Sequence, residues 1–120
     1  MNWYNVLKGE TRKQLESNWT AQQERKGTRQ EEDYEPVCKL FLPWAAATWL
    51  LTELEPTSSL AFGLCDLGFG TPELGYVDLE EVYSVEGPGG LRVEQDIHFE
   101  ARKTLSEYAS EANRMGCIIA

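Results

Sequence analysis

Basic side chains are nearly missing from residues 53–100, which contain no lysine and a single arginine, Arg92. Against it stand eleven acids, Glu53, Glu55, Asp66, Glu73, Asp78, Glu80, Glu81, Glu86, Glu94, Asp96 and Glu100, a local net charge of −10 in a chain of −9. That absence makes phosphate binding and direct nucleic-acid binding unfavourable. Cysteine is scarce too: Cys38, Cys65 and Cys117 are odd in number and have no C-x-x-C spacing. They describe neither a disulfide framework nor a zinc site, and with no secretory leader a cytoplasmic protein is expected. No long apolar run occurs either. The longest, residues 40–51, is broken by Pro43 and Thr48, so it falls short of the roughly 20 residues that span a bilayer, and no membrane partner is expected. A single histidine, His98, leaves little for acid–base or nucleophilic catalysis, and no G-x-S-x-G elbow accompanies it.

What is present fits one domain of 120 residues, long enough to bury a core without staples. Residues 1–36 carry six basic and seven acidic side chains and few apolar ones. A helix is expected over residues 11–26, with Thr11 and Gln14 as a capping box and Leu15 and Trp19 as a narrow contact stripe, followed by an exposed loop at 27–35. Residues 1–36 are therefore expected to pack on a single α+β domain formed by residues 37–120. In that domain residues 37–44, 48–55 and 60–67 read as strands, with a turn at 56–59. Such a hairpin sets Glu53 and Glu55 at the opposite end from Asp66. Residues 68–75, with three glycines, read as a loop. Asp78 with Glu81 opens a short helix, and residues 87–90 form a turn. Residues 91–100 alternate as a strand whose wet face carries Arg92, Glu94, Asp96, His98 and Glu100. Thr104 and Glu107 form a capping box for a helix with Leu105, Tyr108, Ala109 and Ala112 on one stripe, ending near Gly116. The expected fold is α+β, a small antiparallel sheet with helices packed on one face.

Two chemistries can be weighed on these residues. Gly68-Phe69-Gly70 resembles a phosphate loop only superficially: the P-loop lysine is missing, and Asp66 and Glu73 flank it. It reads as a structural turn. A divalent metal could be held by Asp96 and His98 with Asp66 or Glu73, since residues two apart on a strand stand about 6.6 Å apart on one face. The alternative function is accordingly a metal-dependent carboxylate enzyme acting on a phosphoester, although no lysine follows an acid at that spacing. The simpler reading is a solvated acidic face. Cys65 reads as core, as do Trp44, Trp49, Phe62 and Phe69.

The blocks Lys39-Leu40-Phe41, residues 46–54 (A-A-T-W-L-L-T-E-L) and residues 62–76 (F-G-L-C-D-L-G-F-G-T-P-E-L-G-Y), continuing through Gly90-Leu91, residues 93–96, Phe99 and Leu105-Ser106, carry a resemblance. Over residues 37–112 the chain resembles a family of small uncharacterised proteins, a domain of unknown function common on bacterial plasmids and conjugative elements. Gln95 stands where that family commonly has arginine. The resemblance implies a setting on mobile elements, which often carry acidic proteins that blunt host defences, and it implies no activity.

The functional expectation is a non-enzymatic acidic protein, without cofactor, that docks on a basic protein partner as monomer or homodimer. Its most specific form is a DNA mimic. Eleven carboxylates match roughly 19 Å of duplex at one charge per about 1.7 Å, so a monomer could imitate only a short segment. The docking residues expected are Glu94, Asp96, Glu100, Glu73, Asp66 and Phe69, with an apolar patch around Phe69 and Leu74 as the other way to bind a partner.

Overall fold

A computed structural model describes residues 2–120, apart from the side chain of Tyr4. A 3-10 turn at Trp3–Val6 leads into helix α1 (Gly9–Arg25); strands β1 (Cys38–Phe41), β2 (Thr48–Leu54), β3 (Leu60–Asp66) and β4 (Glu73–Asp78) follow. Helix α2 (Leu79–Ser84), a two-residue strand β5 (Glu94–Gln95) and helix α3 (Leu105–Met115) complete the chain. The strands form one antiparallel sheet in the order β4-β3-β2-β1-β5. The expected α+β class with a small antiparallel sheet is what the chain adopts.

The central strand β2 explains how the layers divide. Its residues from Trp49 to Leu54 are all buried, so both of its faces must be covered. Trp49 and Leu51 join Leu15, Leu40, Ala61, Leu79, Val82 and Val93 in one apolar cluster, while Leu50 and Leu64 join Leu105, Tyr108, Ala109 and Ala112 in another. Alternate residues of a strand point to opposite faces. The helices expected on one face are thus shared between two, with α3 opposite α2.

Between Leu51 and Glu53 the β2–β3 register shifts, leaving Thr52 outside the ladder. A bulge frees main-chain groups that need new partners. Asn18 of α1 supplies one, its Nδ2 donating to the Thr52 carbonyl at 3.0 Å. This contact, with Leu15 buried beside it, fixes α1 against β2.

Several local expectations change. Helix α1 starts at Gly9, with Lys8 at its N-cap, so Thr11 and Gln14 lie inside the helix and form no capping box. Thr11 Oγ1 instead accepts from Gln95 Nε2 at 3.0 Å. The loop at 68–75 is shorter, because β4 begins at Glu73 and pairs residue by residue with β3. Residues 91–100 are not a strand beyond Glu94–Gln95. The Asp96 carboxylate accepts from the His98 N–H at 2.9 Å and the Asp96 carbonyl from the Phe99 N–H at 3.2 Å, which turns the chain away from β1. Val93 and Phe99, expected on one face, consequently pack in opposite clusters, and Ile97 is exposed. Phe69 is not core: it is 82% exposed at the β3–β4 connection. Helix α3 forms as expected, with both bonds of the Thr104–Glu107 capping box and Gly116 left-handed at φ 80°.

Candidate functional site

Exposed as most of its side chains are, the 27–35 loop is tied through residues 32–34 to both α1 and α3. Gln22 exchanges hydrogen bonds with the Glu32 main chain, donating at 2.7 Å and accepting at 3.0 Å. The Tyr34 carbonyl accepts from the Leu105 N–H at 2.8 Å, and the Asp33 carboxylate accepts from the Ser106 N–H at 3.1 Å and from the Ser106 hydroxyl. Burial pushes the Asp33 carboxyl up, but the Ser106 and Thr104 bonds outweigh it and hold the group below its ordinary value. The loop thereby becomes one wall of a cavity of about 130 Å³ between α1, the β2–β4 face and the start of α3.

Four carboxylates line this cavity, Glu31, Glu32, Asp33 and Glu53, against one lysine, Lys26. Register places Glu53 opposite Phe62 and Phe62 opposite Tyr76, so these three share one face across three strands. The Phe62 and Tyr76 rings meet edge to face at 5.2 Å. Glu53 is 5% exposed, and its carboxylate accepts from Thr52 Oγ1 at 3.3 Å. Burial raises the Glu53 carboxyl above its ordinary value; the Thr52 bond and the charge of Lys26 oppose the rise without cancelling it. Lys26 Nζ donates to Tyr76 Oη at 2.6 Å and lies 5.3 Å from the Tyr76 ring centre and 5.6 Å from that of Trp19. Its ammonium is held protonated to higher pH than usual, first by the Tyr76 bond. The cavity is a small anionic, aromatic-walled concavity. Its volume is below the roughly 300 Å³ at which metabolite pockets begin, and suits the head group of a cationic side chain.

The residues expected to dock a partner do not form one face. Asp66 is 3% exposed; its carboxylate accepts from Gly68 N–H at 2.9 Å and Ile118 N–H at 3.0 Å, pinning the C-terminal segment to β3. It is a structural anchor, out of reach of a partner. Its bond to Gly68, whose φ is 88°, also fills with the chain's own carboxylate an amide that a phosphate would need. Glu73 stands on β4 and Glu94 on β5, the two outer strands, about 19 Å apart at four strand spacings. Glu73 pairs with Cys65 and so shares a face with Trp49, Leu40 and Gln95, whereas Glu94, opposite Phe41, leaves the other face. Asp96, His98 and Glu100 do line one open cleft, together with Arg102 and Lys103. Lys39 Nζ also lies 3.8 Å from Asp96. That cleft is mixed in sign.

For the metal alternative, the same geometry separates Asp96 and His98 from Asp66 beneath the C-terminal segment and from Glu73 on the far strand. Among the described residues, no three His, Cys, Asp or Glu side chains are grouped so as to hold a metal ion. Nor is any helix among them long and apolar enough to cross a membrane. Other acids have local duties. Asp78 caps α2, accepting from Glu80 N–H at 2.9 Å and from the Ser59 hydroxyl at 2.5 Å, and Glu86 lies 3.5 Å from Arg92.

Sequence reasoning counted Glu53 among the acids but missed the cavity that it joins with Lys26, Tyr76 and the 31–34 loop. One signal was available: an acid inside T-W-L-L-T-E-L, a strand otherwise apolar enough to be buried on both sides. The family model described as protein of unknown function, DUF2958, matches residues 6–119, and thus takes in α1 and its loop as well as the sheet. No curated protein and no solved structure matches the chain.

Proposed function

We propose that this chain, which belongs to the DUF2958 family of proteins of unknown function, is a non-enzymatic acidic protein that docks on a basic protein partner. The observation that carries the reading is the Glu53 cavity, where four acidic and three aromatic residues surround one lysine in a space sized for a cationic side chain. Charge of this sign around a concavity speeds the approach of a basic surface and repels nucleic acid. A setting on plasmids or conjugative elements, with a host protein as the partner, belongs to the same reading through the family resemblance. DNA mimicry is its narrowest form and the geometry favours it less. Two of the eleven acids of residues 53–100, Glu53 and Asp66, are buried, and the rest are spread over the two outer strands, helix α2 and the connecting segments.

The test is capture from a bacterial lysate by the immobilised protein at low and high salt, repeated with Glu31→Gln/Glu53→Gln. Retention of a basic protein that is released by salt and weakened by the double variant is expected, since exposed charge is screened over about 8 Å at physiological ionic strength. A partner indifferent to both would shift the reading to the exposed apolar side chains, Phe69 first among them.

A further inference from the structure

The sheet leaves one long edge open, that of β4. Which of its main-chain groups are free follows from hydrogen-bond parity. Glu55 N–H donates to the Leu60 carbonyl and Leu79 N–H to the Ser59 carbonyl, so even-numbered β3 residues point at β2 and odd-numbered ones at β4. In an antiparallel pair the hydrogen-bonded residues alternate with those that turn their N–H and C=O outward. Glu73, Gly75 and Val77 therefore bond to Cys65, Gly63 and Ala61, and Leu74 and Tyr76 direct theirs to the open edge. The side chains of these same two residues are 47% and 52% exposed and line the Glu53 cavity.

We infer that the β4 edge receives an extended, basic segment of the partner as a sixth strand, pairing with the main chain of Leu74 and Tyr76 and directing a lysine or arginine over them towards the Glu53 cavity. This deepens the docking reading above and rests on it. A cross-strand neighbour sits with its Cβ about 5 Å from that of the residue it faces, so a long cation on the added strand lies beside the Tyr76 ring and in the field of the cavity. The charges along β4 select the occupant. Glu73 and Asp78 stand at its two ends, and Glu80 and Glu81 follow at the start of α2. A second copy, which must pair outward-turned residues with one another, would set Leu74 against Tyr76 and bring each Asp78 next to the other copy's Glu73 at both ends, and like charges brought together are destabilising. A strand with lysine or arginine at those places gains where the copy loses. Unpaired edges are a liability that acids can blunt against self-association, and here the same acids define what is admitted.

The probe is a short peptide alternating lysine with threonine, added to the full chain and followed by fluorescence anisotropy and by hydrogen exchange of the Leu74 and Tyr76 amides. Salt-sensitive binding with slowed exchange at both amides is expected. N-methylation along one edge of the peptide should weaken binding about tenfold, the loss of two main-chain hydrogen bonds, while methylation along its other edge leaves it unchanged. Glu53→Gln should weaken it about threefold to fivefold, the range of one charge pair. Salt-sensitive binding with unprotected amides and tolerance of both methylations would overturn the added strand and leave the docking reading standing. Failure of the peptide to bind, or protection of Leu74 and Tyr76 in the free protein through a dimer, would also overturn it. Failure of the docking reading is read separately, from lysate capture that ignores salt and Glu31→Gln/Glu53→Gln.

Discussion

Replacing Asp66 by alanine should cost stability and leave electrostatic docking untouched. The buried carboxylate accepts two main-chain bonds, at 2.9 Å from Gly68 and 3.0 Å from Ile118. A hydrogen bond to a charged acceptor is worth about 1.5–3 kcal/mol, and an amide left unpaired away from water costs a similar amount. Gly68 is exposed, so water replaces its partner, whereas Ile118 is partly buried against the α3 cluster. The loss expected is about 3 kcal/mol, a fall in Tm of about 10–15 °C for a domain of this size. Asp66→Asn keeps one acceptor oxygen and should fall between. Urea unfolding measures the loss, and hydrogen exchange of the Ile118 amide locates it. A change below about 1 kcal/mol, or unaltered exchange at Ile118, would refute the anchoring role and return Asp66 to the pool of surface charge.

Three further outcomes follow from the same contacts. Because burial raises the Glu53 carboxyl, its ionisation opposes folding above the ordinary value of 4.5; Glu53→Gln should raise Tm at neutral pH, with the gain fading as pH falls below the folded-state value. A Tm gain independent of pH would assign the effect to packing. A Cβ on Gly63 would lie 2.0 Å from the Leu50 carbonyl oxygen, so Gly63→Ala should destabilise by about 1–3 kcal/mol in chemical unfolding, and a neutral result would place β2 and β3 too close. Burial pushes the Cys38 thiol up to about 12 and raises that of Cys65 too, while Cys117 is exposed; a thiol reagent should label Cys117 alone in the native protein, checked by mass spectrometry.

Local signals were legible where the chain's own neighbours satisfy them. Helix α3 could be read because the Thr104 cap, the Glu107 side chain, the apolar stripe and the Gly116 stop all lie within thirteen residues and need no distant partner. The β2–β3 hairpin was readable for the same reason, two apolar runs about a short turn, and the register indeed sets Asp66 opposite Thr48, far from Glu53. Residues 91–100 misled because alternation reports only which residues differ, not whether a partner strand exists. The end of β1 at Phe41 stops the ladder before Glu94, and past Gln95, where Asp96 N–H still donates to the Lys39 carbonyl at 2.9 Å, the Asp96 side chain offers the main chain a turn in place of further ladder.

By itself, then, the sequence determined the α+β class, its hairpin and last helix to within about a residue, and the sign of the charge that residues 53–100 carry. Tertiary structure decided where that charge acts. The eleven acids of residues 53–100 are neighbours along the chain, yet folding buries Asp66 as an anchor, spends Asp78 on a cap, separates Glu73 from Glu94 across the sheet, and brings Glu53 to Asp33 of a loop twenty residues earlier. No window of sequence contains that cavity, because its walls meet only when α1, the bulged strand β2, the edge strand β4 and the α3 N-terminus have each found the partners their buried polar groups require.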